Sequence, residues 1–223
     1  MAAYDLEEQE QLAELKTWWH QHGNRVTNIA LIVALALAGW QGWNWWQRNQ
    51  ATQASAVYMG LEKAAAGKDA LHARELAGEL IDKYPRTAYA AMGALLSARV
   101  QTDAGDGKNA QAQLQWAADH STDPALRDLA RLRLAAVLLD AKSYDAALKA
   151  LDGTPADAFA PRFEEMKGDI EAARGKVAEA RADYESAIAK LEKLPADKGE
   201  SGAVREPYHQ VLQSKLEAMG AGK

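Results

Sequence analysis

The sequence predicts an all-α protein, a single N-terminal transmembrane helix followed by a solenoid of short helical pairs. Three observations carry that expectation. An uncharged segment from Val26 to Trp46 is long enough to cross a bilayer; alanine dominates a hydrophobic fraction of 48% that has few long runs of β-branched residues; and small residues recur along the chain at intervals of 37, 37 and 33.

Residues 26–46 read VTNIALIVALALAGWQGWNWW, with a continuous apolar block from Ile29 to Ala38. At about 1.5 Å per residue the segment reaches roughly 30 Å, the hydrocarbon thickness of a bilayer. Trp40, Trp43, Trp45 and Trp46 close it, and Trp18 and Trp19 precede it, so six of the seven tryptophans flank the block. That is the aromatic-belt arrangement of a membrane span, with lipid as the first partner. Two rivals remain open. A cleaved signal with Ala36-Leu37-Ala38 as its processing site conflicts with a long first segment carrying Asp5, Glu7, Glu8, Glu10 and Glu14 against Lys16 and Arg25. A buried core helix gives no reason for four tryptophans in seven residues. The anchor is the preferred reading. Its direction is not fixed by charge, because Lys16 and Arg25 on one side are matched by Arg48 and Lys63 on the other.

Residues 1–25 form the tail. Asp5 and Glu8 resemble an N-cap and its capping-box partner, and Leu6, Leu12, Leu15, Trp18 and Trp19 recur at helical spacing, so a short amphipathic helix is expected. It either docks on the membrane surface or a partner, or serves as a solvated lead-in whose tryptophans rest among headgroups; the second is preferred.

Residues 47–223 carry the repeats. In LRLAAVLLDAKSYDAALKAL, Leu132 to Leu151, a first helix holds Leu134, Ala135 and Leu138, a turn falls at Lys142-Ser143, and a second helix holds Tyr144, Ala147, Leu148 and Leu151. In MKGDIEAARGKVAEARADYESAI a small Gly168 stands on the first helix, Gly175 in the turn, and Ala180, Tyr184 and Ala187 on the second. Small residues belong where two helices cross closely, with large ones filling the space beside them. These units resemble tetratricopeptide repeats. Two weaker ones precede them, with Ala110, Leu114 and Ala117 after Gly105-Asp106-Gly107, and Ala73, Ala77 and Leu80 after Gly67. Asp123-Pro124, Ala160-Pro161 and Glu206-Pro207 place proline at the first position of a helix, and Tyr84-Pro85 ends one. From Pro207 onward, Tyr208, Val211, Leu212, Leu216 and Met219 share a face suited to capping the stack. Trp116, between Leu114 and Ala117, is expected in the core rather than as an exposed groove anchor.

The search for chemistry returns little. There is no cysteine, which removes disulfides and thiolate chemistry. His20, His22, His72, His120 and His209 are scattered, Gly105-Asp106-Gly107-Lys108 lacks the strand and glycines of a phosphate loop, and no basic cluster suits nucleic acid. Glu164-Glu165, beside Arg162 and Lys167, is expected on a solvated face. No catalytic residue, cofactor or metal is expected, so an enzyme is disfavoured.

The acidic tail EEQEQLAELKTWWHQHG (Glu7 to Gly23), the anchor ending GWQGWNWW (Gly39 to Trp46) and the repeats LRLAAVLLDAKSYDAALKALDG (Leu132 to Gly153) and KGDIEAARGK (Lys167 to Lys176) together resemble the YfgM-like ancillary subunits of the Sec translocon, over nearly the full chain. The resemblance implies a single-pass protein of the bacterial inner membrane with a cytoplasmic tail and a periplasmic repeat domain. It implies association with SecYEG and with the membrane-anchored periplasmic chaperone PpiD, and a role in helping exported client proteins leave the translocon. It carries no catalytic residues across; Ala147, Leu148, Gly168, Gly175, Ala180 and Tyr184 read as packing positions, and the partner-binding residues stay open. The alternative is a tethered regulator whose cytoplasmic tail sequesters a signalling or response-regulator protein.

Overall fold

A computed structural model describes residues 2–195 and 201–220, with side chains from 11–195 and 205–220. Among the described residues there are nine α-helices, one 3-10 turn and no strand. The chain divides into two compact units, Met1–Gln50 and Ala51–Lys223.

The first unit is a single rod of helix. It belongs to α1, Ala2–Ala66, which does not break between the tail and the apolar segment. The sequence-based expectation of a separate short tail helix is therefore corrected: no proline occurs before Pro85, and a lone Gly23 is tolerated inside a helix, so nothing stops propagation. The helix begins at Ala2, so Asp5 stands inside it rather than ahead of it. The side chains of the proposed Asp5 and Glu8 capping box lie outside the described residues. Among those described, Gln11–Ala66 is the one helical segment long and apolar enough to cross a membrane, and no part of its most apolar window is buried.

The second unit is a stack of four helical pairs. The end of α1 pairs with α2 (Ala70–Lys83), α3 (Ala88–Asp103) with α4 (Gly107–His120), α5 (Pro124–Asp140) with α6 (Tyr144–Ala150), and α7 (Ala160–Ala173) with α8 (Val177–Lys193). A final helix, α9 (Ser201–Ala218), packs on α8. Every pair turns through three residues, and each turn repeats one backbone solution. Lys68, Gly105, Lys142 and Gly175 take φ of 55°, 80°, 57° and 77°. The next residue's N–H then reaches back to the last turn of the first helix: Asp69 to Ala64, Asp106 to Gln101, Ser143 to Leu138 and Lys176 to Glu171, all at 2.8–2.9 Å. A left-handed residue at this point satisfies the carbonyls that a helix end leaves unpaired. In the first two pairs an aspartate then caps the second helix, Asp69 accepting from the His72 N–H and Asp106 from the Asn109 N–H.

Two apolar cores run through the stack. One joins the end of α1 to α2 and α3 around Leu61, Leu80 and Ala90, and the other runs from α3 to α7 around Leu114, Leu134, Leu151 and Phe163. Half-buried Trp116 packs against both, a joining role that neither core nor groove fully describes. A third, small cluster of Ala187, Leu191 and Leu212 holds α9 to α8. Two expectations for α9 are corrected. Pro207 lies inside the helix, not at its start; six residues into α9, it forfeits the bond its missing N–H would make to the carbonyl four residues back, and its ring crowds that carbonyl. Val211 points away from the stack and is 47% exposed, because the buried stripe follows Tyr208, Leu212 and Lys215.

Candidate functional site

In the first unit, Trp18, Trp19, Trp40, Trp43, Trp45 and Trp46 are all exposed, as are Leu31, Ile32, Leu35 and Leu37 between them. At roughly 25 cal/mol per Å², so much bare apolar surface is costly in water and calls for a nonpolar surrounding. Trp43 and Trp46 lie 5.3 Å apart, and Trp18 stacks on His22 at 5.5 Å, so the aromatic rings group on either side of the apolar segment, within the long helix.

Within the pairs, the small and large positions meet at Gly168 and Tyr184. A Cβ on Gly168 would lie 2.6 Å from the Tyr184 ring, so only glycine lets the ring pass. Ala147 and Ala180 are fully buried at the crossing of their pairs, and Leu148 is partly buried against the larger core. Gly175 packs against nothing: its Cβ would enter open space, and its positive φ is what the turn uses. Leu151 stands just past the end of α6 as its C-cap, yet remains buried.

The third pair departs from the others, since α6 has 7 residues where α2 and α4 have 14 each and α8 has 17. The chain after it is pinned by Asp128, fully buried on α5, which accepts the Ala156 N–H at 2.8 Å and faces Arg131 at 3.6 Å. Arg131 donates to the Ala150 carbonyl at 3.1 Å and lies 5.3 Å over the Phe163 ring. A groove of about 410 Å³ follows, floored by Leu134 and Leu138 and edged by Gln111, Gln115, Lys149 and Asp152.

Sequence reasoning placed Glu164 and Glu165 on a solvated face, and the structure corrects this. Glu164 is 13% exposed and accepts from Lys190 at 2.6 Å, while Glu165 is 19% exposed beneath α9. Lys215 of α9 forks between Glu165 and Asp169 at 2.7 Å, Tyr208 donates to Glu165 at 2.9 Å, and Tyr184 donates to Asp169 at 2.8 Å. The clue available in the sequence was the spacing of Glu165 and Asp169, four apart on a helix face whose next neighbour carries Lys215. Burial, then the carboxylates around them, pushes both tyrosine hydroxyls well above the usual range. Burial works to lower the Lys215 ammonium, but the hydrogen bonds and charges of Asp169 and Glu165 outweigh it and raise it. Similarly, burial opposes but does not prevent the lysines from holding the Glu164 carboxyl low.

The histidines do not converge. His72 lies beside Glu75, His120 stacks on Trp116 at 5.1 Å, and His209 faces Glu192 at 3.7 Å. Among the described residues no three His, Cys, Asp or Glu side chains come together as a metal site.

What such a stack offers is surface, the currency of tetratricopeptide-like scaffolds, and a family model described as a tetratricopeptide repeat-like domain matches residues 16–221. The match takes in the exposed apolar helix as well as the pairs. An ancillary SecYEG translocon subunit of Neisseria gonorrhoeae is 34% identical over 221 residues, covering 98% of this chain and 100% of the relative. Proteins of the same description from Haemophilus influenzae and Escherichia coli are 32% and 30% identical, covering 83% and 81% of this chain and 90% and 87% of themselves. The chain belongs to the family of ancillary SecYEG translocon subunits.

Proposed function

We propose that the chain is a membrane-anchored adaptor of the Sec translocon, a non-enzymatic subunit that binds SecYEG. The observation that carries this reading is end-to-end similarity to proteins of that description, apolar helix included. Residues 26–46 span the inner membrane, 1–25 form a cytoplasmic tail, and 47–223 form a periplasmic repeat domain that engages the chaperone PpiD and newly exported clients. Support for the span is its exposed apolar surface with tryptophans at both ends. Tethering a repeat scaffold beside an export channel raises the effective concentration of its surfaces for whatever emerges there. The test is photocrosslinking in membranes from probes in residues 26–46 and along the 410 Å³ groove. Capture of SecY, SecE or SecG from the span and of a chaperone or client from the stack is expected; capture of neither overturns the reading. Protease protection of residues 47–223 in intact cells, lost when the outer membrane is opened, tests the orientation.

A further inference from the structure

The last pair is covered by a helix from its own chain, and the covering is of an unusual kind. Among the described residues the cluster that seats α9 is small, with Ala187, Leu191 and Leu212 buried and Ile188, Leu194 and Tyr208 packed partly buried against them, separate from both larger cores. Around that cluster the attachment is polar and charged. Lys215 bridges Glu165 and Asp169, Tyr208 hydrogen-bonds Glu165, and Arg162 lies 5.4 Å over the Tyr208 ring. Arg205 donates to the Leu194 and Glu192 carbonyls at 3.0 and 2.8 Å. Tyr208, Leu212 and Lys215 stand at i, i+4 and i+7, the spacing by which an amphipathic helix presents anchors to a groove.

We propose that the face of α7 and α8 bearing Glu165, Asp169, Tyr184 and Leu191 is a docking seat for an amphipathic helix of a partner protein, and that α9 occupies it as a built-in competitor. The partner's chemistry is read from α9 and from charge complementarity: a helix with an aromatic residue, an aliphatic residue four positions on, and a lysine or arginine three further on. A seat made of carboxylates selects that cation, and the small apolar patch beneath limits how tightly α9 can hold it. An element attached through few buried apolar contacts is also the one that opens most readily. The inference deepens the adaptor reading, but its test is a binding measurement on the isolated chain, so it can fail while crosslinking to the translocon succeeds.

The experiment uses the full chain in nanodiscs and a fluorescein-labelled peptide of residues 201–220. Lys215→Glu sets a carboxylate against Glu165 and Asp169 and is expected to release α9, seen as at least tenfold faster hydrogen exchange in α9 with α7 and α8 still protected. The released seat is expected to bind the peptide at least tenfold more tightly than the parent chain does. Adding Glu165→Lys and Asp169→Lys is expected to abolish that binding. Should Lys215→Glu disorder α7 and α8, Leu212→Ala takes its place with the same expectations. The proposal is overturned if α9 stays as protected as α7, if release leaves peptide binding unchanged, or if the charge-reversed seat binds equally well. Concentration-dependent dimerisation of the released variant without peptide binding would make a second copy the occupant and overturn it too.

Discussion

At Gly168 a single missing methyl decides the packing of a pair. Alanine there would drive its Cβ to 2.6 Å from the Tyr184 ring, an overpacking cost of about 1–3 kcal/mol that exceeds the helix propensity gained, about 1 kcal/mol. The equivalent positions suggest the remedy, because the second and third pairs set Ala98 with Leu114 and Ala135 with Leu151, and the first reverses the sizes with Leu61 and Ala77. Gly168→Ala is expected to lower the thermal midpoint of the solubilised chain, and adding Tyr184→Leu to recover at least about 1 kcal/mol relative to additivity. The turns give a second prediction. Lys142 holds φ 57° where glycine would do so without strain, so Lys142→Gly is expected to stabilise by about 0.5–1 kcal/mol, whereas Gly175→Ala destabilises by about 1 kcal/mol. Denaturant midpoints measure both.

The elements differ in how far the sequence discloses them. The pairs were legible because their cause is local: a small residue at each crossing, a left-handed turn, a proline or aspartate at a helix start. The extent of α1 was not, since helix continuity through Gly23 depends on the absence of a stop rather than on any signal. Nothing local marks the start of α9, which runs on through Pro207, and the burial of Glu165 depends on a helix some 40 to 50 residues away in sequence, as the Tyr208 and Lys215 contacts show, while Glu164 is closed in by Lys190, 26 residues on. That attachment has a pH signature. Tyr184 and Tyr208 titrate above the ordinary 10.0 and Lys215 above 10.5, so their contribution is fully present below pH 10 and is lost as pH rises through the raised values. Alkaline titration is expected to release α9 before the other helices, with these two tyrosines among the last to ionise by ultraviolet absorbance.

For the molecule as a whole, stability in a stack comes from each pair and its neighbours. Trp116 touches both large cores, so Trp116→Ala is expected to cost about 2–4 kcal/mol and to divide one denaturation transition into two, lowering the apparent m-value. Trp116 is also the single tryptophan in residues 51–223, so loss of its buried fluorescence in a chain whose other six tryptophans are phenylalanine reports the junction directly. The four identical turns have one more consequence. Since each is closed by a left-handed residue and the same backward hydrogen bond, the turns keep their length, and the difference between intervals of 37 and 33 falls elsewhere, chiefly in the first helices, where α7 has 14 residues against 16 in α3 and 17 in α5, and for the rest in the second helices and their connections. Inserted tags and length changes among relatives are therefore expected at joints such as Thr122, while the 67–69, 104–106, 141–143 and 174–176 bends keep their length wherever the stack is kept.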